Sequence, residues 1–210
     1  TEVNPFDLLA VRRAVELRNS VGGDVTVYTM GPPQSKQALV QCLAIGADQA
    51  IHLMDLALAG SDTLATSRAL SLALNKENYD LILFGQYSVD GETGQVGPEV
   101  AELLGLPLVT GIRNLEIDAD GLAIVVEREV DEGSQVLTCQ LPAVVSVCDG
   151  VAEELYPRRE EIKIAGQQEI PVMTASQLSS DISIFGMEGS PTWVADLRFV
   201  ESQRAQHLLD

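Results

Sequence analysis

Histidine, paired cysteine and positive charge are all scarce in this chain, and each shortage removes a class of function. His52 and His207 are the only histidines and lie too far apart in sequence to suggest a zinc site. Cys42, Cys139 and Cys148 are an odd number, sit singly in apolar surroundings and form no CxxC pair. Buried thiols in a reducing compartment are therefore expected, not disulfides or a metal centre. Lys and Arg number 13 against 31 Asp and Glu, a net charge of −18. Nucleic acid and anionic membranes bind through cations that displace counterions, so neither is an expected partner. The charge reads either as an ordinary acidic, soluble surface or as a field that favours a basic partner. No apolar run approaches bilayer length and no signal-peptide pattern opens the chain, which sets the expectation of a cytoplasmic chain without membrane insertion. GxSxG, HExxH and GxxxxGK[ST] are absent too, and no nucleophile stands out. The chain reads as a binder of a nucleotide or cofactor more than as a stand-alone catalyst.

What is present is aliphatic. The chain is 46% apolar but only 4% aromatic, a mixture that suits helices packed on a Val- and Ile-rich sheet. Asn4 as a cap, Pro5 in the first turn and the glycines at 22–23 predict a helix from about Pro5 to Asn19. Short strands at 24–30, 49–54 and 80–84 then alternate with helices in "SKQALVQCLAIGA" and at 61–74. A further helix, "QVGPEVAELLG", is followed by the strand "LPLVTGIRNLEI", and "IVVEREV" with "SQVLTCQL" forms an antiparallel hairpin. "PAVVSV" at 142–147 is fully apolar and fits the middle of a sheet. The predicted fold is α/β: a doubly wound, mostly parallel sheet with a late antiparallel hairpin. Residues 1–149 are expected to form a nucleotide-binding domain, and 150–210 an extended C-terminal arm. The chain enters a helix almost at once, so a β-first fold would lack its opening strand here.

Ligands of open α/β sheets bind beyond the carboxyl ends of the strands. Two stretches occupy such ends, "MGPPQ" and "GQYSVDGETGQVGP". Glycines allow close backbone approach, and the amides of a helix start attract phosphate. Thr93, Gly94, Gln95 and Val96 lie near that start, while Asp90 and Glu92 are poor neighbours for phosphate and are expected to face ribose, amides or solvent. The same residues also read as an ordinary glycine-rich βα turn. Asp90/Glu92 and Asp131/Glu132 are paired carboxylates of the kind common in acidic surface turns.

The hairpin and its exit, "VEREVDEGSQVLTCQLPAVVS" (126–146), resemble the signature of the electron-transfer flavoprotein small (β) subunit family. Arg128, Asp131, Glu132, Gly133, Gln135, Leu137, Pro142, Val144, Val145 and Ser146 stand in its places. "NPFD", "GPPQSKQAL", "AIGADQAIHL", "GSDTLAT", the loop after the third strand and "GSPTWV" extend the resemblance. It implies a heterodimer with an electron-transfer flavoprotein α subunit, and an FAD, or alternatively AMP, held by the small subunit. It further implies that Asn4, Pro5, Phe6, Asp7, Met30, Gly85, Ser88, Val89, Asp90, Gly91, Glu92, Thr93, Gly94, Gln95 and Val96 contact that nucleotide. "VDGETGQVGP" looks more like the "IDGDTAQVGP" of members that carry a second FAD and are linked to electron bifurcation. The chain would then be an electron carrier passing electrons between a donor and a dehydrogenase or quinone oxidoreductase.

Two stretches depart from the family pattern. The opening strand and its "KQVPD" loop are missing, and "AEELYPRREEIKI" replaces the partner-recognition loop "NEPRYPSIRGIM", with Arg159 near the anchor position. The second difference implies a dehydrogenase matched to a charged loop. Glu129 stands where the family has an acid that pairs with the α subunit, and it also reads as a solvated hairpin charge. The competing class is a non-redox regulatory module that binds AMP or ATP.

Overall fold

Pro5 begins the first helix, α1 (Pro5–Val21), where its fixed φ suits the first turn, and Gly22 ends it at φ 90°. In the computed structural model, which describes residues 3–89, 91–154 and 156–195, α1 buries Leu8, Leu9, Val11, Val15 and Leu17. Strand β1 (Thr26–Met30) pairs in parallel with β2 (Gln49–Leu53), and α2 (Lys36–Ile45) makes the crossover between them. Gly46, at φ 125°, stops α2. The next crossover helix, α3 (Thr63–Leu74), is capped by Asp62, whose carboxylate accepts the Ala65 N–H at 3.0 Å. Ala65, Ala69 and Ala73 repeat every four residues and are fully buried, a narrow face that lets α3 sit close to its neighbours.

Strand β3 (Leu81–Gly85) then leads to α4 (Val96–Leu104), β4 (Leu108–Ile117), the hairpin β5 (Ala123–Val130) and β6 (Gly133–Gln140), and β7 (Ala143–Val147). These form a five-stranded sheet ordered β3-β7-β4-β5-β6. β7 lies inside it with all five residues buried, as its unbroken apolar run predicts. β3, β7 and β4 are parallel, with one residue of β4 bulged against β7 between Val109 and Ile112, whereas β4-β5-β6 is antiparallel, its β4–β5 register shifting between Ile112 and Asn114. The strands thus follow the predicted α/β pattern with its late hairpin, but they divide into two sheets. β1 and β2 belong to a separate three-stranded parallel sheet ordered β1-β2-β8. Tyr28 of β1 reaches the cluster built on β3 and α4, and its hydroxyl lies 2.7 Å from that of Tyr79. β1 and β3 each have one edge unpaired among the described residues.

Of the span expected as an extended C-terminal arm, residues 156–195 carry short elements. Within it α5 (Arg159–Ala165), β8 (Val172–Met173), α6 (Ala175–Leu178) and α7 (Gly186–Gly189) fold back on the first sheet. β8 pairs in parallel with β2, and Phe185 is fully buried beside Leu53, Leu58 and Ala69. Burying one phenylalanine contributes about 1.5–3 kcal/mol, enough to hold a short segment whose charged composition hides its apolar anchors. Asp62 ties this span down at Thr192, accepting from its N–H at 3.0 Å and its hydroxyl at 2.7 Å. Trp193 follows, 73% exposed.

Candidate functional site

The carboxyl end of β3 meets the first turn of α1. Gly85 donates its N–H to Asp7 Oδ1 at 2.7 Å, and a Cβ on Gly85 would lie 2.7 Å from the Asp7 nitrogen and from Phe6 Cβ. Only glycine permits that approach. The second carboxylate oxygen, Oδ2, accepts from Asn4 Nδ2 at 2.9 Å, and the same nitrogen donates to the Tyr87 carbonyl at 2.7 Å. Burial pushes the Asp7 carboxyl above its ordinary pKa, outweighing the lowering by the Asn4 and Gly85 hydrogen bonds. The Phe6 and Tyr87 rings meet edge to face with centroids 6.0 Å apart. Asn4, Phe6, Asp7 and Gly85, all expected at the site, are therefore brought together.

Asn4 does not cap α1 with its side chain. Its nitrogen faces two acceptors, Asp7 Oδ2 and the Tyr87 carbonyl, so the amide orientation is fixed and the oxygen must point elsewhere. That Oδ1 is covered and has no hydrogen-bond partner in the described structure. An unmet buried acceptor costs about 1–3 kcal/mol, so a donor is wanted at this position.

Beyond Gly85 the backbone is unusual. Glu92 takes φ 50° and Gly94 φ 62°. A side chain at Gly94 would press within 3.1 Å of the Gln86 carbonyl and the Tyr87 ring. Left-handed conformation at a non-glycine residue is sparsely populated and clusters at ligand loops. The Glu92 N–H bonds back to the Ser88 carbonyl at 3.0 Å, closing a turn. Ser88, Val89, Gly91, Glu92, Thr93 and Gln95 are exposed, and Val96 begins α4, whose first amides have no partner within the helix. α4 is anchored to α3 where Ser67 Oγ donates to Glu99 Oε2 at 2.8 Å. Asp90 lies outside the described residues. Met30 ends β1 and packs in the cluster of Leu53 and Phe185, and among the described contacts none joins it to this loop. Pro5 is an exposed first-turn residue.

Sequence reasoning left out several residues that shape the loop. Gln86 Nε2 donates to the Tyr87 hydroxyl at 3.1 Å, and its side chain faces Gly111, the positive-φ residue of the β4 bulge. The Gly111 N–H is held by Ser146 Oγ at 3.2 Å. Gln86 and Tyr87 sit within the glycine-rich stretch and were visible as neighbours. The Gly111–Ser146 link joins positions 35 apart in sequence and left no local signal. Glu129 forms an ion pair with Arg113, both half-exposed. Two shallow concavities lie elsewhere, one lined by Arg13, Glu16 and Glu116, the other by Asp48, Gln49 and Glu169. The loop is the better candidate although it is open, because it offers the free amides of the α4 start beside the unmet Asn4 Oδ1. Among the described residues, no group of His, Cys, Asp and Glu is arranged to hold a metal, and no helix is long and apolar enough to cross a membrane.

Residues 1–178 match the family described as the electron transfer flavoprotein domain. An electron transfer flavoprotein subunit beta of Thermoanaerobacterium thermosaccharolyticum is 40% identical over 204 residues, covering 97% of this chain and 78% of that protein. A protein of the same description from Clostridium acetobutylicum is 40% identical, covering 91% of this chain and 73% of its own length. Protein FixA of Azotobacter vinelandii is also 40% identical, with 92% and 71% covered.

Proposed function

This chain belongs to the electron transfer flavoprotein family, and we propose on that premise that it serves as a small (β) subunit that holds an adenine-containing cofactor on the loop after β3. The observation that carries the placement is Asn4 Oδ1, a buried acceptor without a donor among the described residues, beside a loop of left-handed residues. The residues fit such a group: the α4 amides and the permissive backbone at Gly91 and Gly94 suit a phosphate, and Asn4 suits a hydroxyl or amine donor. Asn4, Phe6, Gly85 and 88–96 would form the cradle, with Met30 contributing from the end of β1. FAD is preferred to AMP, because "VDGETGQVGP" resembles the loop of members that carry a second FAD.

When bound, a flavin supplies one- and two-electron redox chemistry, and the protein contributes placement and electrostatics. In this chain the α1–β3 junction fixes the loop, α4 offers neutral amides, and Glu92 sets a negative charge at the rim. Pairing with an α subunit would close the open side, and residues 150–210, with exposed Trp193 and Val194, would supply part of that contact. Electron exchange with a dehydrogenase or quinone oxidoreductase, with bifurcation if two flavins are held, completes the reading.

Co-purification with the α subunit tests it. Flavin per heterodimer is counted from the visible spectrum and the released nucleotides are identified by mass. Two FAD and no AMP support the bifurcating form, and one FAD with one AMP makes the chain a shuttle subunit. Colourless AMP without a redox partner would turn the reading to a regulatory module, and no adenine nucleotide at all would sink the site.

A further inference from the structure

We propose that Asp7 does not touch the nucleotide but acts as a positioning residue, locking residues 85–89 in the shape that receives it. The inference rests on the site reading above and concerns one of its members. Both carboxylate oxygens are already engaged, Oδ1 by the Gly85 N–H at 2.7 Å and Oδ2 by Asn4 Nδ2 at 2.9 Å. Asn4 passes the constraint on, because its nitrogen also binds the Tyr87 carbonyl at 2.7 Å. One carboxylate in the first turn of α1 thereby fixes two backbone groups of the β3 exit, Gly85 directly and Tyr87 through Asn4. The same arrangement turns Asn4 Oδ1 away from Asp7 and leaves it without a partner among the described residues. Charge-assisted hydrogen bonds of this kind are the strong ones, and α1 is a rigid platform for them. The Coulombic influence of Asp7 on the buried Cys42 thiol, which burial chiefly and Asp7 secondarily push up to about 12, is a further sign that the carboxylate lies inward.

Three variants test this in the full chain co-purified with its α subunit: Asp7→Ala, Asp7→Asn and Asn4→Ala. In Asp7→Asn the new amide meets the Asn4 nitrogen donor to donor, so shape is kept while the lock is lost. Asn4→Ala removes the Tyr87 branch, the bond to Asp7 Oδ2 and the Oδ1 acceptor but keeps the Asp7–Gly85 bond, so its ligand-free exchange reads the Tyr87 branch and guards against an Asp7 variant that fails to fold. The first readout needs no ligand: amide hydrogen exchange of peptides covering 84–95, expected to quicken at least ten-fold in both Asp7 variants while β7 stays protected. The second is affinity for AMP, ADP and FAD, expected to weaken by a common factor of roughly ten to a hundred, as when the partner that orients a binding group is removed. Unchanged exchange overturns the assignment of Asp7 alone. Loss confined to one nucleotide also overturns it, since it would make Asp7 a ligand contact. Faster exchange with unaltered affinity overturns it as well. A wild-type protein that takes up no adenine nucleotide overturns the site reading instead, whatever the exchange shows.

Discussion

Replacing Gly85 by alanine adds one methyl group where α1 and β3 touch most closely. The added carbon would stand 2.7 Å from the Asp7 nitrogen, 2.7 Å from Phe6 Cβ and 2.8 Å from Asp7 Oδ1. Two of these neighbours are a backbone atom and the first side-chain carbon of a helical residue, so no flexible side chain can swing aside. The start of α1 must retreat. Overpacking of this sort costs about 1–3 kcal/mol. Retreat also stretches the 2.7 Å bond from Gly85 to a covered carboxylate, adding about 1–3 kcal/mol for an acceptor left unmet. The sum, roughly 2–6 kcal/mol, corresponds to a fall of about 4–24 °C in melting temperature for a domain of this size. Differential scanning calorimetry of the two proteins reads it directly. A Gly85→Ala protein that melts within about 2 °C of the parent would mean that α1 is not seated on β3 as described. The site built on that junction would go with it.

Asp7 has a folded pKa raised above its unfolded value, burial outweighing its two hydrogen bonds. The folded chain then binds the proton more tightly, so the stability contributed by this group is greatest at low pH and falls as pH rises through the raised value. The urea midpoint of the parent should gain on that of Asp7→Asn as pH drops from 7 towards 4, and a flat difference would contradict the burial. At Asp62 burial acts upward, but hydrogen bonds from Ala65, Thr192 and Ser190 prevail and its pKa is lowered. Its contribution is present above the ordinary carboxylate range and lost as pH falls through the depressed value. Asp62→Ala should cost about 1 kcal/mol for the lost cap and speed proteolysis near Thr192; unchanged cleavage would show that the clamp does not hold.

Much of this architecture was legible because it is written locally. Pro5, the glycines at 22, 46 and 105, and the apolar run of β7 mark helix ends and a central strand through short-range chemistry. The division into two sheets was not legible, since strand pairing is decided by partners far apart in sequence, as when β8 joins β2. The site shows the same boundary. The glycine-rich loop and "NPFD" stand out in the chain, but the direction in which Asp7 points does not. An acidic residue near a candidate ligand reads as a contact until its two oxygens are found on Gly85 and Asn4. The bulge at Gly111, braced by Ser146, is hidden for the same reason.

The charge of the chain bears on the proposed site in a way that salt can measure. Residues 84–104 contain no Lys or Arg, nor do residues 4–10, and the net charge is −18. A nucleotide phosphate at the start of α4 would therefore be held by neutral amides and a helix dipole, with Glu92 nearby and an unfavourable field around it. The Debye length is about 30 Å at 0.01 M ionic strength and about 8 Å at 0.15 M. At low salt most of the acidic groups oppose the ligand, whereas near physiological salt only those within a turn or two of the site still do. The local amide attraction, acting over a few ångströms, survives the change. Affinity for AMP should thus rise, by about two- to five-fold, as ionic strength is increased from 0.01 to 0.15 M. A cradle of basic side chains would give the reverse. Isothermal titration at the two ionic strengths separates them, and a steep loss of affinity with salt would mean that the phosphate is met by cations outside this loop.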